Sequence, residues 1–191
     1  MRSKQLALAV SLALALLSCT QAKLVGEPLP SPIAPNFALT DGVSGETVEL
    51  ASLSGRVVLL TFLYTQCPDV CPLTAETIRN ARDKLGDAAS GVSFVAVSVD
   101  PIGDTPANAR KFVQDHRLLG SLRFLIGPRD ALARVWQAYG IAQANSAQST
   151  NVLHTDVIYL IDKRVHGRVV LHSDVSVEDL AGDLRILANE R

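Results

Sequence analysis

Val57-Val58-Leu59-Leu60-Thr61-Phe62-Leu63-Tyr64 runs directly into Thr65-Gln66-Cys67-Pro68-Asp69-Val70-Cys71-Pro72. The first half is a continuous apolar run of strand length, suited to a strand covered on both faces. The stretch from Pro72 to Leu85 reads as a helix, with Leu73, Ile78 and Leu85 apolar and Gly86 as a stop. Two thiols are thus presented where a strand turns into a helix N-terminus. There the helix dipole and the free backbone N–H groups favour thiolate over thiol. Thiolate is the form that binds soft metals and attacks disulfides. With a helix beginning near Cys67, the pair would lie one turn apart on one face. These residues leave three uses open: thiol redox, soft-metal binding, or both in turn.

Beyond this junction the pattern alternates. Val92–Val99 reads as a second strand, and a helix follows to about His116, with Thr105 as N-cap and Pro106 in the first helical position. Asp100 and Asp104 most simply end that strand and precede that cap. Leu122–Ile126 is a strand and Arg129–Tyr139 a helix, with Leu132, Val135 and Trp136 turned inward. Ile141–Asn151 is polar and small, a long loop. Asp156–Ile161 and Arg168–Leu171 look like an antiparallel pair, and Val177–Ala188 a closing helix. Upstream, Asn36–Leu50 carries the turn signal of a small hairpin. The order argues an α/β sandwich with a mixed central sheet flanked by helices. A dithiol at the first strand-to-helix turn makes a thioredoxin-like fold with an N-terminal hairpin the best choice.

The chain has 191 residues, 48% of them hydrophobic, with a formal net charge of −1. That length suits one domain with a proper core. The near-neutral balance, with Lys and Arg scattered and aromatics few, gives no case for nucleic acid.

The N-terminus reads as a targeting segment. Arg2 and Lys4 form a positive start, and Leu6–Leu17 is an apolar run of roughly a dozen residues, shorter than the ~20 needed to span a bilayer. It ends Leu16-Leu17-Ser18-Cys19, which resembles a bacterial lipobox. We expect a lipoprotein signal over 1–18, lipid on Cys19, a Pro-rich tether over 19–35 and the folded domain over 36–191. The mature domain would then lie outside the cytoplasm, on the periplasmic side of a membrane, where disulfides persist. With Cys19 set aside for lipid, only Cys67 and Cys71 remain, to pair with each other, hold a metal, or do both at different times.

Taken together, these residues resemble the Sco (SenC) family of copper-delivery proteins for cytochrome c oxidase. The matching pieces are Cys67-Pro68-Asp69-Val70-Cys71-Pro72, then Ser98-Val99-Asp100-Pro101 with Asp104-Thr105 close behind, then Gly127-Pro128-Arg129-Asp130. His154-Thr155 ahead of Ile158-Tyr159-Leu160-Ile161-Asp162 completes the set. One departure is the turn Lys163-Arg164-Val165-His166-Gly167, where the family usually places Pro or Asp next to Gly. The resemblance implies copper, Cu(I) or Cu(II), held by Cys67, Cys71 and His154. It also implies delivery to the binuclear copper centre of oxidase subunit II, with an upstream copper donor or thiol reductant as a further partner.

Two thiolates and an imidazole make a soft, low-coordinate site that suits Cu(I) and tolerates Cu(II) with an added ligand. The wider spacing than Cys-x-x-Cys opens the pair, yet a disulfide can still form. The alternative reading is a membrane-tethered thiol–disulfide oxidoreductase that keeps the oxidase copper-site cysteines reduced. A thiol peroxidase fits less well, because Thr65 stands two residues before Cys67 instead of three. The small polar loop before His154 is expected to be mobile, so that the imidazole could approach and leave the thiols. His116, His166 and His172 lack ligand spacing and are expected at the surface.

Overall fold

The computed structural model describes residues 23–30, 33–144, 153–154 and 156–190, and for 143–144 and 153–154 the backbone only. The expected signal segment and Cys19 lie outside the described residues. In chain order the strands are β1 (Glu27–Pro28), β2 (Ala38–Asp41), β3 (Thr47–Glu49), β4 (Val57–Leu63), β5 (Val92–Ser98), β6 (Leu122–Ile126), β7 (Gln143–Ala144), β8 (Leu153–His154), β9 (Val157–Ile161) and β10 (Gly167–His172). The helices are α1 (Val70–Leu85), α2 (Pro106–Asp115), α3 (Arg129–Ala138) and α4 (Val177–Asn189).

Eight strands form one mixed sheet in the order β1-β10-β9-β4-β5-β6-β2-β3. β4, β5 and β6 are parallel neighbours, and the flanking pairs are antiparallel. Every residue of β4 and of β5 is buried, which requires cover on both faces. α1 packs on α4, α4 on β4, and α2 on β6. The hairpin expected over Asn36–Leu50 is present as β2 and β3, with Ala38 opposite Glu49.

Helix α1 begins at Val70, two residues earlier than its apolar pattern suggested. Pro72 therefore sits in the first turn, where its missing N–H removes no intrahelical bond. The buried stripe runs through Cys71, Thr74, Ala75, Ile78, Ala81 and Leu85, so Leu73 lies off it and is 60% exposed. Gly86 ends the helix at φ 59°, a left-handed conformation that costs glycine little. Thr105 caps α2 as expected, its Oγ1 accepting from the Asn108 N–H at 3.2 Å. Part of the segment read as a long loop is ordered as a two-stranded ribbon, with Gln143 opposite His154.

The described part of the Pro-rich segment lies against the domain from Val25. β1 adds to the open edge of β10, and Ile33 bridges to His166. The Val25 and Gly26 N–H groups donate to the carboxylate of buried Asp183 on α4, at 2.9 and 3.2 Å. This strap covers a sheet edge that would otherwise offer unpaired backbone groups. Its close approach needs glycine, because a Cβ on Gly26 would sit 2.8 Å from Val169 Cβ and Cγ2. Gly26→Ala is expected to lift the strap and cost about 1–3 kcal/mol, the range for overpacking. Urea unfolding and the rate of proteolysis ahead of Asn36 would read it, and an unchanged proteolysis rate would mean the strap tolerates the methyl.

Candidate metal centre

Because β4 and β5 run parallel, with Leu63 opposite Ser98, their C-terminal ends share one edge of the sheet. Both following segments emerge there. The pairing continues one step further, with the Val99 N–H donating to the Leu63 carbonyl at 3.0 Å. Sites on open α/β sheets collect at the carboxyl ends of parallel strands, where loops can converge without breaking the ladder.

Cys67 precedes α1, and Cys71 lies in its first turn. The pair is therefore not arranged as two positions on one helix, which corrects the one-turn placement considered from the sequence. Instead the chain folds back so that the Cys71 N–H donates to Cys67 Sγ at 3.3 Å. Asp69, at the N-cap position, makes no side-chain capping bond. The sulfur of Cys67 takes the place that a capping oxygen occupies at other helix starts. Asp69 itself is exposed.

The two thiols are unlike. Cys71 is fully buried, whereas Cys67 is half-exposed. The Cys71 thiol hydrogen-bonds Cys67, and this holds the Cys67 thiol down at about 5, against the opposing effect of burial. Backbone bonds from the Asp69 and Cys71 amides and one from the Tyr64 side chain act in the same direction. Cys71 moves the other way, pushed above the ordinary thiol range by its bond to Cys67 and by burial. At neutral pH the site is one thiolate and one thiol that share a proton, the thiolate facing solvent. The alkylation rate of Cys67 is therefore expected to rise with pH through about 5 and then level off. A midpoint near the ~8.5 of a free thiol would remove the asymmetry.

The third expected ligand is His154. Its backbone lies in β8, and its side chain and Thr155 lie outside the described residues. The register of β9 shows where this segment joins the sheet. Ile158 is opposite Thr61, and the Thr61 hydroxyl donates to the Val157 carbonyl at 2.9 Å. The chain just before Val157 thus meets the sheet at the end where β4 leaves it for Cys67. Asp156 is near enough for its charge to act on Cys71, and its carboxylate accepts from the Ser173 hydroxyl. Among the described residues no group of three or more His, Cys, Asp and Glu gathers as a metal site.

His166 lies beside Asp162, with Nδ1 at 3.7 Å from a carboxylate oxygen, and His172 is exposed. His116, expected at the open surface, is half-buried with its ring 4.5 Å from that of Phe112, and burial lowers its pKa. Trp136 is core, as expected, and its Nε1–H donates to the Ser98 carbonyl at 2.9 Å.

One contributor had no strong signal in the sequence. Asp104 is 5% exposed. Its Oδ1 accepts from the Thr65 N–H at 2.8 Å, and its Oδ2 accepts from the Ser98 hydroxyl at 2.5 Å. Burial pushes its carboxyl up, against the hydrogen bonds that favour the charged form. Reading it as the residue before a helix cap was correct for its position, but left out the long-range bond to Thr65.

A family model described as SCO1/SenC matches residues 26–189. The SCO2-like protein of Rickettsia prowazekii is 28% identical over 151 residues, covering 75% of this chain and 71% of that protein. Among solved structures, copper-bound ScoI of Bradyrhizobium japonicum superposes with a TM-score of 0.72 at 30% identity, over 81% of this chain and 99% of that one. BsSco, described as a member of the Sco family of cytochrome c oxidase assembly proteins and as having a disulfide switch, superposes with a TM-score of 0.72 at 21% identity. It covers 88% of this chain and 100% of that one, and shares the fold.

Proposed function

The chain belongs to the SCO1/SenC family, and on that premise we propose that it is a copper-binding factor for cytochrome c oxidase assembly. In this reading Cys67, Cys71 and His154 hold the copper, and the recipient is the binuclear copper centre of oxidase subunit II. The observation that carries it is the unequal dithiol: a half-exposed sulfur with its pKa lowered to about 5 beside a buried partner thiol. The copper-bound relative supports the choice of metal.

The donor set fits a soft cation. Cys67 offers a thiolate to solvent at neutral pH without a prior proton loss. Cys71 must release its proton before it can act as a ligand, so loading releases a proton and apparent affinity rises with pH. Two thiolates select Cu(I), and an imidazole extends the set to Cu(II). Oxidation of the pair to a disulfide would remove both sulfur ligands, so loading requires reduced thiols.

The same asymmetry favours a second reading. An exposed thiolate beside a buried thiol is the arrangement of an attacking and a resolving cysteine. A thiol–disulfide oxidoreductase that reduces the oxidase copper-site cysteines would use it without His154. For either role we propose a lipid anchor on Cys19, tethering the domain on the periplasmic side of a membrane, with a copper donor or thiol reductant upstream. Among the described residues no helix is long and apolar enough to cross a membrane.

Copper titration of the reduced protein, read by competition with a Cu(I) chelator and by Cu(II)–thiolate absorption, tests the proposal. Tight 1:1 binding supports a carrier. Absence of binding, with a dithiol that still cycles, leaves the reductase.

A further inference from the structure

We infer that Asp104 is the positioning residue of the dithiol loop, a buried carboxylate that fixes Thr65, and through it Cys67, against the end of β5. The inference rests on the copper reading for its metal readout and on geometry for the rest.

The loop from Tyr64 to Val70 must hold Cys67 Sγ over the Cys71 N–H, a 3.3 Å contact that places the two sulfurs together. Downstream it is anchored by α1. Upstream the last ladder bond is the one from Val99 N–H to the Leu63 carbonyl; the Tyr64 amide then turns to the Cys71 sulfur, and the Thr65 N–H is tied to Asp104. Within the loop the Cys67 N–H donates to the Tyr64 carbonyl at 3.3 Å, which passes the position of Thr65 on to Cys67 through one tight turn.

Asp104 is in turn held from the other side. Ser98 Oγ donates to it and accepts from the Asp100 N–H at 3.1 Å, while the Ser98 carbonyl accepts from Trp136. Ser98 is fully buried and cannot relax into solvent. The Asp104 N–H closes the loop by donating to the Asp100 carbonyl at 3.0 Å. The carboxylate thus joins the ends of two parallel strands at the point where both leave the sheet.

Asp104→Ala and Asp104→Asn separate geometry from charge. Asparagine keeps an oxygen to accept from the Thr65 N–H, whereas alanine does not. Two readouts are taken in the full-length reduced protein. The first is copper affinity by chelator competition; alanine is expected to weaken it about 10–100-fold, the range for losing a group that orients a ligand. Asparagine is expected to stay within about threefold of the parent. The second, made without metal, is amide hydrogen exchange at Cys71, which Asp104 does not touch. Alanine should speed it while leaving β5 and the centre of α1 protected.

Parent-like affinity and exchange in the alanine variant would overturn the inference, as would an asparagine variant as impaired as alanine. Should the alanine protein fail to fold, Ser98→Ala decides. It removes the group that orients the carboxylate, so faster Cys71 exchange supports the inference and unchanged exchange overturns it. If the parent protein itself binds no copper, the copper reading falls, and the exchange experiment alone judges Asp104.

Discussion

Cys67→Ser is expected to abolish tight copper binding and, in the same protein, to bring the remaining Cys71 thiol back toward ordinary behaviour. A hydroxyl at neutral pH is protonated and hard, so it replaces neither the charge nor the softness of the sulfur it removes. The loss should exceed the roughly 100-fold that removing an outer-shell partner costs. Cys71 is pushed up first by its bond to Cys67 and next by burial. Removing Cys67 takes away the first cause and leaves the second, so Cys71 falls without reaching a free-thiol value. Chelator competition reads the metal, and thiolate ultraviolet absorbance across pH reads Cys71. A serine variant that keeps parent affinity would mean that the metal is held elsewhere. The same variant cannot form the internal disulfide, so it also silences the reductase reading. It therefore establishes that the dithiol is the site without choosing between the two uses.

His154→Ala makes that choice. The imidazole is expected to matter to copper and hardly at all to the dithiol couple. Copper affinity should fall by more than about 100-fold, while the reduction potential of the pair moves by less than about 30 mV, a tenfold change in its equilibrium constant. Unaltered copper binding would end the three-ligand proposal and favour a reductase. A shift of the potential as large as the loss of affinity would place His154 among the groups that tune the thiols. The backbone makes the assignment reasonable, because β9 is registered against β4 so that the preceding segment arrives at the end of the sheet where Cys67 leaves it.

Much of the architecture was legible because local signals and burial agree. β6 was readable from end to end, and the cap of α2 follows from Thr105-Pro106. The uninterrupted apolar run of β4 correctly implied cover on both faces. The failures are of another kind. The helix stripe was placed through Leu73, but the actual stripe begins at Cys71, a residue read for its chemistry and in fact also a core side chain. Thiols are small hydrophobes as well as nucleophiles, and the periodicity shifts once Cys71 is counted as apolar.

At the site, the Cys-x3-Cys spacing pointed to a pair but not to its asymmetry. The split depends on which sulfur the helix start buries, and that depends on a chain reversal with no sequence signature. Asp104 was hidden for a related reason. Its partner Thr65 is far away in sequence, and the two meet only because β4 and β5 pair in parallel with Leu63 beside Ser98. Its local role near the N-cap gave sufficient reason for an acidic residue there, so nothing called for a second one.

With a lipid on Cys19, the strap over β10 would limit how far the domain can travel. A lipid on Cys19 would leave as slack only the residues between it and Val25, where Asp183 takes hold. At about 3.5 Å per residue, that leash spans on the order of 20 Å when fully drawn out. The proline-rich stretch would then act as a clasp on the protein's own edge, and the domain would turn in place close to the bilayer. So anchored, the protein would meet partners that share its membrane and would be a poor courier to anything that diffuses freely.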